Sequence, residues 1–225
     1  MRRKAYVPHL CVFSTSRADA HSGRNSIFVS DVYDDHTLSP PLVEVPAHRD
    51  HDAPRHNVPS PDGRTLYSVT EHTSYVDVWE VYEEDLVWRQ SVSIIPSAAG
   101  RDDFRGDTLR LSRDGKYLFA STRGKTEKTR GWVAVWTVDQ KTGRLFESGG
   151  ALHRYQTPTS GGKANAIEPA LKGTPLSDRG EQWLVLTDDE QGYVFILGFD
   201  GSAINEVARL QLPGSELASH AIWLS

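Results

Sequence analysis

Cysteine and methionine each occur once in the 225 residues. A lone Cys11 rules out an internal disulfide framework and any multi-cysteine metal centre, and it is the usage expected of a chain kept in a reducing compartment, with the cytosol as the default. No activating neighbour stands near that thiol in the sequence, so it reads as a small core residue. Positive charge is also scarce: 25 Lys and Arg are scattered among 30 Asp and Glu, for a net charge of −5, which offers no basic field to a phosphate backbone and argues against nucleic acid as a partner. No apolar run approaches the roughly 18 residues of a membrane span, so no membrane partner is expected. Met1-Arg2-Arg3-Lys4 lacks the apolar stretch that makes a basic start into a secretory signal. Helical periodicity is absent. Gly161-Gly162-Lys163 lacks the spacing and the following helix of a phosphate loop and reads as a connecting turn.

What is present is a repeat. The run Ser60-Pro61-Asp62-Gly63-Arg64-Thr65-Leu66-Tyr67-Ser68-Val69-Thr70-Glu71 superimposes without a gap on Ser112-Arg113-Asp114-Gly115-Lys116-Tyr117-Leu118-Phe119-Ala120-Ser121-Thr122-Arg123. Each begins with a turn in which Gly accepts a positive φ and continues as a strand. A third copy is Gln182–Asp188, and a degenerate first copy is Ser26–Asp31. Further alternating strands are expected at Tyr75–Val81, Trp132–Asp139 and Tyr193–Asp200. Several short strands per repeat of about 40–50 residues are the signature of propeller blades. The expected fold is an all-β, incomplete β-propeller in one domain over 1–225, with repeats near 5–50, 54–98, 103–155 and 162–213 and a closing strand at 218–225. A β-sandwich is the alternative architecture.

Stacking the repeats yields two polar rings. One holds Arg55, Asp107, Lys163 and His220; the other holds Asp31, Glu71, Arg123 and Asp188. Equivalent positions in successive repeats lie at equivalent radius and height, so these charges converge on the propeller axis. Two readings stay open: ion pairs that hold adjacent blades in register, or an anion site in which two arginine forks grip a di- or tricarboxylate and Glu71 or a histidine exchanges a proton with it. The stretch HRDHDAPRH at 48–56 is rich in His and Asp, but without strand or helix spacing it reads as a solvated loop and no metal site is assigned.

The stretches PRHNVPSPDGRTLYSVTE, FRGDTLRLSRDGKYLFASTRG, GGKANAIEPA, WLVLTDDEQGYVFILGF and ASHAIWLS resemble the carboxy-cis,cis-muconate cyclase family, fungal lactonising enzymes among the seven-bladed lactonase-like propellers. The likeness covers nearly the whole chain, as the C-terminal part of that family, with about three blades' worth of sequence lacking ahead of Tyr6. It implies cycloisomerisation of 3-carboxy-cis,cis-muconate to its lactone in the β-ketoadipate route of aromatic breakdown, without metal or other cofactor. The family's site is understood as two arginines, a glutamate and a histidine. By motif these are Arg55, Arg123 and Glu71, with His9 as the nearest candidate for the histidine and His21 as a second. The implied roles are carboxylate clamping by Arg55 and Arg123 and orientation or proton transfer by Glu71; the stacked ring adds Asp107, Lys163 and His220 as expected substrate-lining residues. Other readings are a sugar-lactone hydrolase of the 6-phosphogluconolactonase kind and a non-catalytic binding propeller. The partner expected is a small di- or tricarboxylate, and the open arc leaves room for a homo-oligomer.

Overall fold

A computed structural model of the chain describes residues 10–13, 16–35, 37–82, 85–146, 150–170, 182–214 and 216–224. Among these residues sixteen strands form four antiparallel, four-stranded sheets. The first holds β1 (Leu10–Phe13), β2 (Ser16–His21), β3 (Ser26–Asp31) and β4 (Val43–Pro46); the second β5 (Pro54–Pro59), β6 (Thr65–Thr70), β7 (Tyr75–Val81) and β8 (Leu86–Ser93). The third holds β9 (Phe104–Leu111), β10 (Tyr117–Gly124), β11 (Trp132–Thr137) and β12 (His153–Gln156); the fourth β13 (Ile167–Pro169), β14 (Gln182–Asp188), β15 (Tyr193–Phe199) and β16 (Ile204–Gln211). Within each sheet the strands follow chain order, as propeller blades do. No helix among the described residues is long and apolar enough to cross a membrane.

The 52-residue offset survives hydrogen bond by hydrogen bond. Ser60 Oγ donates to Asp62 at 2.6 Å and accepts from Thr65 N at 3.0 Å, while Ser112 Oγ donates to Asp114 at 2.7 Å and accepts from Tyr117 N at 2.9 Å. Gly63 and Gly115 close the two turns at φ 72° and 70°, the left-handed conformation that an L residue adopts only with strain.

Alternation then sorts the apolar residues into three interfaces. Leu66 and Trp79 pack with Ile27, Val29 and Val45 between the first and second sheets. Tyr67, Val69 and Val78 pack with Leu109, Leu118 and Trp136 between the second and third. Phe119, Val133 and Val135 pack with Leu184, Leu186, Phe195 and Phe199 between the third and fourth. Successive residues of β6 and β10 therefore serve opposite interfaces, the period-2 rule of a strand buried on both faces.

The second and third sheets also join through backbone: Gly106 N donates to Glu71 O at 2.8 Å. A Cβ on Gly106 would lie 2.2 Å from Thr70 O, where only the backbones can move. Gly106→Ala is expected to lower stability by about 1–3 kcal/mol, read as a fall in the thermal midpoint.

Residues 218–224 form no strand here, and the first sheet has four strands of its own. Trp223 instead donates its indole N–H to Glu168 O at 3.0 Å. The degenerate first copy does not hold the place of the other three, which corrects the expected alignment. Ser26–Asp31 is the third strand of its sheet, whereas Thr65–Thr70, Tyr117–Gly124 and Gln182–Asp188 are second strands. The true second strand, SRADAH, is too polar to show the pattern.

Candidate active site

Four of the ring residues close into a cycle of alternating charge. Arg55 Nη1 lies 3.4 Å from Glu71 Oε2 and Arg55 Nη2 lies 3.0 Å from Asp107 Oδ1. Arg123 Nη2 lies 3.1 Å from Glu71 Oε1 and Arg123 Nε lies 3.2 Å from Asp107 Oδ2. Each carboxylate thus bridges both arginines with one oxygen apiece, and neither forms the two-bond fork that a guanidinium prefers.

Local irregularity places these side chains. In β5, Arg55 is an extra residue between Pro54, which pairs with Thr70, and His56, which pairs with Val69. In β9, Asp107 and Thr108 fall in the register shift opposite Ser121. Both are β-bulges on innermost strands, the device by which a sheet re-aims a side chain. Glu71 follows the last residue of β6, and Arg123 stands near the end of β10.

The two carboxylates sit at different depths. The Asp107 side chain is 2% exposed and that of Glu71 18%. Burial pushes the Asp107 carboxyl up, against the pull of Arg55, the Asn165 amide and Arg123, with Glu71 adding a further upward push. Asn165 N donates to Asp107 Oδ2 at 3.1 Å, Asn165 Nδ2 donates to Thr122 O at 2.8 Å, and Asn165 O accepts from Ser121 Oγ at 2.6 Å. Asn165 therefore locks the segment before β13 onto β10 from beneath the ring. Sequence reasoning missed it because the stacking chose Lys163 instead; the GGKANAI stretch, more specific than the turn motif, contained the signal.

The remaining predicted residues are not brought to the cycle. Pairing of Ile167 with Leu186 sets Ala166, not Lys163, level with Arg55 and Asp107. Lys163 follows the positive-φ pair Gly161 and Gly162, and its side chain, 77% exposed, pairs with Glu190 at 3.3 Å. His220 is exposed in the unpaired C-terminal segment. Asp188 is buried but spent on backbone, accepting from Gly161 N, Glu190 N and Gln191 N. Asp31 closes a third strand and is not equivalent to Glu71. His21 ends β2, on the face of its sheet that carries Phe28 and away from the second sheet, with its ring 5.4 Å from that of Phe28. His9 and the Cys11 side chain lie outside the described residues.

The stretch at 48–56 is solvated only in part: His48, Asp50 and His51 are exposed, and Asp52 to Pro54 are buried. Arg49 pairs with Asp52 at 3.0 Å and Asp77 at 2.8 Å and donates to Ser91 Oγ at 2.7 Å; Asp52 is fully buried and accepts from Thr73 Oγ1. His48 stacks on Trp88 with the rings 3.7 Å apart. Tyr75 lies between the guanidiniums of Arg49 and Arg101, 4.3 and 4.0 Å from its ring. Asp52 and Arg49 thereby hold the connection to the second sheet, while Asp50 and His51 are exposed. Among the described residues no group of three or more His, Cys, Asp or Glu is arranged to hold a metal ion.

Comparison with known proteins agrees with this architecture. The family described as lactonase, 7-bladed beta-propeller matches residues 4–159. Muconate cycloisomerase 1 of Cutaneotrichosporon cutaneum is 38% identical over 181 residues, which is 80% of this chain and 47% of that protein. Carboxy-cis,cis-muconate cyclase of Neurospora crassa is 28% identical over 191 residues, 80% of this chain and 49% of that protein. Among solved structures, the periplasmic gluconolactonase PpgL of Pseudomonas aeruginosa superimposes with a TM-score of 0.70 at 17% identity, over 88% of this chain and 52% of that one. The chain spans about half the length of the curated relatives it matches.

Proposed function

The chain belongs to the seven-bladed β-propeller lactonase family, and from that premise we propose that the cycle of Arg55, Glu71, Asp107 and Arg123 is a carboxylate site serving cycloisomerisation of 3-carboxy-cis,cis-muconate. The observation that carries this reading is the convergence of two guanidiniums on shared carboxylates at the inner ends of adjacent sheets. The names of two relatives, a muconate cycloisomerase and a carboxy-cis,cis-muconate cyclase, supply the chemistry.

In that reaction a substrate carboxylate oxygen bonds to an alkene carbon, closing the lactone, and the neighbouring carbon takes a proton. No atom changes oxidation state in sum, so the step asks only for orientation, charge stabilisation and a proton. Arg55 and Arg123 would grip the substrate's carboxylates, and Glu71 is placed to orient the chain of double bonds or to pass the proton. Such a reaction belongs to the breakdown of aromatic acids.

The test is loss of the muconate absorbance on addition of the purified protein. Turnover is expected, with kcat/KM lowered about 100-fold or more in Arg55→Ala and Arg123→Ala. A flat trace at high protein concentration counts against the reading. Hydrolysis of 6-phosphogluconolactone in its place would move the protein to the sugar-lactone hydrolases.

A further inference from the structure

The site as it stands is already occupied by its own carboxylates. Two guanidiniums and two carboxylates sum to zero charge, so an incoming anion finds no net attraction in the closed cycle and must take the place of a resident one. The two residents are not equivalent. Asp107 is almost fully buried, ion-paired with both arginines at 3.0 and 3.2 Å and hydrogen-bonded by the Asn165 amide, and lies on a bulge within β9. Glu71 stands beyond the end of β6, is more exposed, and makes the longest of the four contacts, 3.4 Å to Arg55. Among the described residues its carboxylate has no partner other than the two arginines.

We infer that Glu71 holds the place of a ligand carboxylate and that carboxylates bind by exchange with it, while Asp107 stays as the positioning residue that keeps both guanidiniums aimed. The exchange has a driving force beyond charge. Glu71 reaches each arginine with a single oxygen, whereas a free carboxylate can seat both oxygens on one fork. A di- or tricarboxylate, with a second carboxylate left to find the other arginine, is favoured over a monocarboxylate.

This inference rests on the carboxylate reading of the site, but its test needs no turnover. The probe is propane-1,2,3-tricarboxylate, which carries three carboxylates and no alkene, titrated calorimetrically into the full chain. Glu71→Gln, which removes the resident charge and keeps the shape, is expected to bind the probe at least about tenfold more tightly than wild type, a change of about 1.4 kcal/mol. Asp107→Asn is expected to bind it at least about tenfold more weakly, because the guanidiniums lose their inner anchor. Simple charge neutralisation makes the opposite forecast for the second variant, so tightening in both overturns the inference. Unchanged or weaker binding by Glu71→Gln overturns it as well, and that variant alone decides if Asp107→Asn fails to fold. A protein that binds the probe by exchange and yet leaves 3-carboxy-cis,cis-muconate unchanged would sink the proposed reaction and keep this binding mode.

Discussion

Alanine at Arg123 is expected to cost about 3 kcal/mol of stability at neutral pH and well under half of that near pH 4, besides abolishing carboxylate binding. The reason lies in what the guanidinium leaves behind. Asp107 is sealed from solvent and its carboxyl is already pushed up by burial, with Arg55 and Arg123 among the groups that oppose the shift. Removing Arg123 takes away part of that opposition, so the carboxyl rises further. A carboxyl whose folded value exceeds its unfolded one holds more protons in the native state, and stability then falls as pH rises through the gap. The gap opens at the unfolded value near 4 and extends upward, so the deficit of the variant should grow between about pH 4 and neutrality. Urea titrations of wild type and Arg123→Ala at both ends of that range measure it. A deficit independent of pH would mean that the lost contacts are packing contacts of the long Arg stem, with Asp107 indifferent to its partner.

The same cycle shows where the sequence was legible and where it was not. Leu66 to Thr70 and Leu118 to Thr122 alternate between two interfaces, and a turn with Ser, Asp and Gly at fixed offsets precedes each; both are local patterns, so the second, third and fourth sheets could be read directly. Arg55, Glu71, Asp107 and Arg123 were legible for the same reason, since a constant offset of 52 residues carries a constant height on the blade. The first sheet was harder. Its second strand, Ser16–His21, has the polar sequence SRADAH, so the apolar run of Ser26–Asp31 stands out in its place. Lys163 failed because an offset is reliable only while connections keep their length. The link from β12 to β13 turns through Gly161 and Gly162, and a slip of three residues puts an exposed lysine where Ala166, next to the buried Asn165, stands. What no periodicity reveals is depth: that Asp107 is sealed and Glu71 accessible follows from the bulge in β9 and from Asn165, which arrives from a different sheet.

Depth is also why the interface under the site should govern its chemistry. Trp136 is fully buried, pairs across strands with Leu118, and packs with Tyr67, Val69 and Val78 of the second sheet. Glu71 follows the end of β6 and Arg123 stands near the end of β10, and these are two of the strands that this cluster packs together. Trp136→Ala is expected to cost about 3–5 kcal/mol, the loss of a large buried side chain plus the cavity it leaves. Trp136→Phe should cost less than about 1.5 kcal/mol, because the ring is largely kept and the indole N–H it discards has no hydrogen-bond partner among the described residues. If the interface positions the site, the alanine variant, studied well below its melting point, should also lose affinity for propane-1,2,3-tricarboxylate, since displacement of a binding group by about 1 Å can cost a factor of about 100. The phenylalanine variant should not. Equal affinity in wild type and Trp136→Ala would show that the cycle is held together by its own four charges, with Asp107 and Asn165 sufficient to fix the arginines whatever the packing beneath them.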